Sequence, residues 1–62
     1  MNNNAYNIMR QLVQEYTSLW RIKDDYLADA GDTPELEALW KEVASEKEDN
    51  IEKLTEELKK II

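Results

Sequence analysis

Several residue types that commonly build active sites are missing from this chain. The 62 residues include no cysteine and no histidine. Without cysteine, disulfides and thiolate-bound metals are excluded. Without histidine, the chain lacks the commonest general base and the commonest transition-metal ligand, and neither serine–histidine nor cysteine–histidine sites can form. We therefore expect a protein that is not an enzyme and that holds no cofactor.

Glycine and proline each occur once, and they lie close together in the segment AGDTPE, residues 30–35. A glycine-rich phosphate-binding loop is therefore absent. Gly31 suits the left-handed position that follows a helix. Asp32 or Thr33 can cap the next helix through its side chain, and Pro34 suits the first helical turn. The segment predicts a single turn between two helices.

Long apolar runs and an excess of positive charge are also missing. No apolar run approaches the roughly 20 residues that cross a bilayer, and the opening MNNNAYN lacks the basic and apolar regions of a signal peptide. The 14 acidic and 8 basic residues give a net charge of −6. Nucleic acids require a basic face, and acidic surfaces are repelled by anionic membranes. We expect a cytoplasmic protein that binds neither nucleic acid nor membrane.

Two long segments show the periodicity of amphipathic helices. We predict a single helical-hairpin domain over residues 1–62, with helix 1 from about 4 to 30, a turn at 31–33 and helix 2 from about 34 to 61. The apolar stripe of helix 1 comprises Met9, Leu12, Tyr16, Leu19, Lys23 and Tyr26, flanked by Val13, Trp20 and Leu27. The stripe of helix 2 comprises Leu36, Trp40, Val43, Lys47, Asn50 and Leu54, flanked by Leu39, Ala44, Ile51 and Leu58.

Both stripes are too wide for one hairpin to cover. Each helix has an apolar face that suits two neighbours, and the hairpin supplies one. Two copies around a two-fold axis solve this, so the predicted fold class is an all-α antiparallel hairpin that dimerises into a four-helix bundle. The expected dimer core consists of Leu12, Tyr16, Leu19, Trp20, Tyr26, Trp40, Val43, Ile51 and Leu54.

Polar residues interrupt the stripes at three positions, Lys23, Lys47 and Asn50. A buried lysine must meet an acid or reach the surface along its own stem. We interpret the three residues as a polar layer in the interface that fixes the register of the helices. Glu15, Glu46 and Asp49 are interpreted as solvated residues or as ion-pair partners of a stripe lysine.

The run SLWRIKDDYLADAGDTPELEALWKEVASEKEDNIEKL, residues 18–54, resembles a helical pair of the ferritin-like superfamily, rubrerythrin-type members especially. Such pairs carry a glutamate, a tyrosine about two turns later (here Tyr26), an acidic turn, and Glu-x-x-His before an EKL-like ending. The resemblance implies that two pairs complete one bundle, in agreement with the predicted dimer. The family's ligand positions fall at Leu19, Lys47 and Asn50, so its metal ligands are not retained.

The function that we expect is that of a small structural or protein-interaction module whose partner is a second copy of itself. One alternative is a metal-binding ferritin-like remnant, in which carboxylates from two chains surround an ion. Another is a small regulator that docks one helix face into a groove of a larger protein.

Overall fold

The computed structural model describes residues 3–62 as two antiparallel helical arms, so the predicted all-α hairpin is confirmed. The first arm contains α1 (Asn3–Arg21), a π-helical turn (Ile22–Tyr26) and the short α2 (Leu27–Asp29). The second arm is α3 (Pro34–Ile61). The molecule is a rod of 46 × 15 × 11 Å. Within the described part, no helix combines the length and the apolar character that a membrane span requires.

The turn between the arms is closed by backbone hydrogen bonds between residues three positions apart. The Gly31 N–H donates to the carbonyl of Ala28 at 3.3 Å, and the Thr33 N–H donates to that of Ala30 at 2.8 Å. Gly31 does not adopt a positive φ, so the left-handed conformation predicted for it is wrong. Because the hydrogen bond from Gly31 to Ala28, three residues back, already closes the turn, no residue needs the left-handed conformation. A Cβ on Gly31 would lie 3.3 Å from that same carbonyl oxygen, so glycine still suits the position.

The first residues of α3 are held by the backbone and by charge. Thr33 is extended, with φ −127° and ψ 94°, and its hydroxyl makes no capping hydrogen bond, so a side-chain cap by this residue is not formed. The Thr33 carbonyl instead accepts the N–H groups of Leu36 and Glu37 at 3.1 and 3.0 Å. Pro34 opens the helix and needs no hydrogen-bond partner there. Glu35 and Glu37 face the positive end of the helix dipole.

The two arms pack along one row of residues from each helix, which we call the seam. Successive seam residues are three or four positions apart, the spacing that keeps side chains on one side of a helix. The α1 row comprises Ala5, Ile8, Leu12, Glu15, Leu19 and Ile22. The α3 row comprises Glu37, Trp40, Ala44, Lys47, Ile51, Leu54 and Leu58. Every residue of both rows is buried or half-buried.

The π-helical turn changes which residues continue the seam after Ile22. Its defining hydrogen bond runs from the Leu27 N–H to the Ile22 carbonyl, five residues back. In an unbroken α-helix, Tyr26 and Asp29 would come next in the seam row. The extra residue moves the row to Leu27 and Ala30 instead, and Ala30 is only 4% exposed. Tyr26 and Asp29 are thereby displaced to the side of the hairpin.

We expect the substitution Ile22→Ala to lower the free energy of unfolding by about 2–4 kcal/mol, because it leaves a cavity in the seam. Ile22 is 1% exposed, the most buried large side chain of the described residues. Urea denaturation followed by circular dichroism measures the change. Ile62→Ala is the matched control, since Ile62 is 82% exposed. Equal losses in the two variants would show that the seam does not hold the hairpin together.

Candidate functional site

A polar cluster interrupts the middle of the seam. Oε1 of Glu15 accepts a hydrogen bond from Nε2 of Gln11 at 3.1 Å, one turn away on α1. Nζ of Lys47 on α3 lies 3.7 Å from the same oxygen. The Glu15 side chain is 11% exposed and that of Lys47 is 23% exposed. We call this contact the seam ion pair.

The seam ion pair is only partly satisfied. Its 3.7 Å separation exceeds that of a charge-assisted hydrogen bond, so Lys47 neutralises Glu15 mainly by Coulomb attraction. Oε2 of Glu15 is buried and has no hydrogen-bond partner among the described residues. The pair therefore adds little stability compared with apolar residues, but separating its members leaves a charge in the seam. We therefore interpret the pair as a contact that fixes the relative position of the two helices.

The other two residues of the predicted polar layer lie outside the seam. Nζ of Lys23 lies 3.1 Å from Oε1 of Glu48, and the two side chains are 56% and 53% exposed. A solvated pair of this kind contributes about 0–1 kcal/mol. Asn50 is exposed and does not join the seam ion pair. Within the hairpin, Lys47 is thus the member of the predicted polar layer that contacts a buried acid. The presence of such a layer at a dimer interface stays a prediction.

The Lys23–Glu48 contact also identifies the two faces of the hairpin. Lys23 follows the seam residue Ile22 by one position, and Glu48 follows the seam residue Lys47 by one position. Because these side chains meet, residues that follow the seam by one position share a face, which we call the front face. Residues that precede the seam by one position lie on the opposite side, the back face.

The front face of α1 carries a second apolar row, which we call the α1 ridge. It consists of Met9, Val13, Tyr16 and Trp20. Val13, Tyr16 and Trp20 are 63%, 56% and 62% exposed, and Met9 is 37% exposed. On the same face α3 presents small and charged residues, namely Ala38, Lys41, Ser45, Glu48 and Glu52. A contiguous apolar row of this length on a small protein is typical of an interaction surface.

The residues predicted for the dimer core are distributed between the seam and the surface. Leu12, Leu19, Trp40, Ile51 and Leu54 lie in the seam, Val43 is half-buried beside it, Tyr16 and Trp20 belong to the α1 ridge, and Tyr26 packs on Trp40. The predicted stripe of helix 1 therefore merged two neighbouring rows into one. It missed Ala5, Ile8 and Ile22, although their spacing continues the row of Leu12 and Leu19. Glu15 meets a stripe lysine, which was one of the two alternatives given for it, but it was missed as a seam residue because a charged side chain breaks the apolar pattern.

Within one chain, these residues do not form a di-iron site of the ferritin-like kind. No group of three or more acidic side chains lies close enough to hold a metal ion within residues 3–62. The ammonium of Lys47 sits 3.7 Å from the carboxylate of Glu15, where a divalent cation would be repelled. Glu46 and Asp49 are exposed on the surface of α3.

Comparisons with protein-family models, with curated proteins and with solved structures find no match to this chain. The resemblance to the ferritin-like superfamily stays a prediction. The polar centre of the seam and the uncovered α1 ridge are the two features of this chain that bear on its function.

We expect Lys47→Leu to lower the free energy of unfolding by about 1–3 kcal/mol, because the Glu15 carboxylate keeps only Gln11 as a partner in the seam. The double variant Glu15→Leu/Lys47→Leu should recover at least the wild-type stability, since it removes both charges. Urea denaturation of the wild type, both single variants and the double variant measures the coupling. The solvated Lys23→Leu serves as a control. Additive effects of the two single changes would show that the pair does not fix the seam.

Proposed function

We propose that this protein is a non-enzymatic protein-interaction module that works by self-association. Two hairpins pack through their α1 ridges into a four-helix bundle of ferritin-like type. The observation that carries the proposal is the second apolar row on α1, which the hairpin leaves uncovered. The resulting assembly is a rigid dimer that presents its α3 surfaces to other molecules.

The small core of the hairpin supports the need for a partner. The buried apolar residues of the described part are Ala5, Ile22, Ala30, Ala44 and Ile51, and three of these five are alanines. Alanine side chains contribute little apolar area, and the seam also contains an ion pair. Chains of this length rarely reach useful stability from one such core without an additional source of stabilisation. In the proposed dimer, burial of the α1 ridge against the second copy provides this additional stabilisation.

The charge distribution favours a second copy in the opposite direction. Residues 24–40 contain six acidic residues and no basic residue, whereas the remainder of the chain contains eight of each. The entire net charge therefore lies near the turn. Two hairpins packed antiparallel place their turns at opposite ends of a bundle about 46 Å long. That distance is several times the Debye length of about 8–10 Å in physiological salt, so the repulsion is screened.

The order of residues in the ridge also suits an antiparallel pair of α1 helices. A two-fold axis near the midpoint between Val13 and Tyr16 sets Val13 of each copy opposite Tyr16 of the other. It sets Met9 opposite Trp20 in the same way. Each contact then joins a smaller side chain to a larger aromatic one, and such pairing lets facing layers interdigitate. Between Met9 and Trp20 the two charged residues are Arg10 and Glu15, and Glu15 lies in the seam rather than on the ridge.

We expect Val13→Glu to convert the dimer into a monomer, because it places a charge in the centre of the apolar contact. Leu39→Glu is the matched control: Leu39 is 47% exposed on the back face and should tolerate the same change. Sedimentation equilibrium of the three proteins measures the state of association. A wild-type chain that remains folded and monomeric at high concentration would contradict self-association and favour docking onto a larger partner.

The antiparallel direction can be tested with cysteines, since the natural chain has none. Oxidising an equimolar mixture of Met9→Cys and Trp20→Cys chains should give mainly the mixed disulfide, because these positions face each other in the proposed dimer. Each variant oxidised alone should cross-link poorly, as measured by mass spectrometry. Efficient cross-linking of Met9→Cys with itself would indicate parallel α1 helices instead.

A further inference from the structure

A notch at the turn end of the rod lies on the back face, away from the α1 ridge. Its walls are formed by Tyr26, Asp29, Ala30, Leu36 and Trp40, and its volume is about 190 Å³. The rings of Tyr26 and Trp40 have their centroids 4.8 Å apart and are inclined by 44°. The notch thus combines two aromatic rings, a carboxylate and an aliphatic side chain within one small depression.

The π-helical turn builds this notch. It moves Leu27 and Ala30 into the seam row, so that Tyr26 and Asp29, which precede them by one position, lie on the back face. Leu36 precedes the seam residue Glu37 and lies on the same face. No glycine or proline occurs in the segment IKDDY to account for the distortion. Such turns are uncommon and occur frequently at functional sites.

The chemistry of the notch favours a cation with an apolar surface. The faces of aromatic rings attract positive charge, and tryptophan does so most strongly. The Asp29 carboxylate forms no ion pair with the described residues, so its charge is available to a ligand. Leu36 is 46% exposed and offers contact to alkyl groups. An anion would be repelled by the same residues.

The surrounding charge strengthens this preference. The notch residues belong to the segment 24–40, which has six acidic residues and no basic residue. A surface of one charge sign raises the local concentration of oppositely charged ligands. An inorganic cation is disfavoured, because it needs several oxygen ligands and the described residues contain no such cluster.

We propose that the notch binds the quaternary alkylammonium headgroup of a small molecule. Such a headgroup has no N–H group to be satisfied, and aromatic rings can replace its weakly held water. A primary ammonium is more strongly hydrated and loses more on entering the notch. This site is independent of the self-association proposed above, because the notch and the α1 ridge lie on opposite faces of the hairpin.

Choline is a suitable probe, and its neutral isostere 3,3-dimethylbutan-1-ol is the matched control. In ¹⁵N–¹H spectra of the wild-type chain, choline should shift the indole N–H signal of Trp40 in a saturable manner. Trp20 provides an internal reference, since it lies on the front face and should not respond. The isostere has the same shape without the charge and should cause no saturable shift. An unchanged Trp40 signal, or equal shifts with the isostere, would overturn the proposal.

Variants at the notch distinguish a specific binding site from general attraction to an acidic surface. Asp29→Asn and Tyr26→Leu should each weaken choline binding by about two- to fivefold, the loss expected of one exposed charge or ring contact. Asp25→Asn removes an equal charge from the same acidic end but does not line the notch, so its effect should be smaller than twofold. Equal weakening by Asp25→Asn and Asp29→Asn would show non-specific attraction and refute the site.

Butylammonium tests the preference for a quaternary headgroup. It should shift the Trp40 signal less than choline does at the same concentration, because its primary ammonium group is strongly hydrated and costly to desolvate. Equal or tighter binding of butylammonium would overturn the quaternary assignment. Sedimentation equilibrium without ligand reports on self-association separately, so the failure of either proposal leaves the other measurable.

Discussion

The arrangement of this protein depends on one constraint: α1 has two adjacent apolar rows, and the hairpin covers one. Ile8, Leu12 and Leu19 face α3, while the row that begins one position later remains in solvent. Leu36 and Leu39 on the back face of α3 are also exposed, but they form a shorter row than the four residues of the α1 ridge. A helix with an apolar face this wide is typical of a bundle in which it touches two neighbours. This is why we propose that a second copy covers the uncovered row.

The polar centre of the seam gives specificity at a cost in stability. If α3 slid by one heptad along α1, Glu15 would face an apolar seam residue, either Trp40 or Leu54, and Lys47 would face another part of α1. Both charges would then be buried without a partner, which costs several kcal/mol. A fully apolar seam would lack this discrimination. The ion pair therefore favours one register of the hairpin, whose buried apolar core is small.

The sequence predicts the hairpin well because its single glycine and single proline coincide at one place. It predicts the apolar rows of α1 less well, since two rows one position apart share the same average periodicity. Glu15 shows a further reason: its burial follows from the position of Lys47 across the seam, which no local pattern records. The π-helical turn has no local signal either. The turn brings Ala30 into the same buried row as Ile22, and burial of this kind is a property of the packed hairpin.

The extra residue of the π-helical turn determines on which face of the hairpin the apolar side chains of the first arm lie. Before the π-helical turn, the exposed large apolar residues of the first arm, such as Trp20, lie on the front face. After it, Tyr26 lies on the back face, beside Trp40. In the proposed antiparallel dimer the two notches therefore lie near opposite ends of a bundle about 46 Å long, each made from one chain. A small ligand is too short to bridge the two notches, and each notch is lined by residues of its own chain. Binding should then be independent at the two ends, with one ligand for each chain.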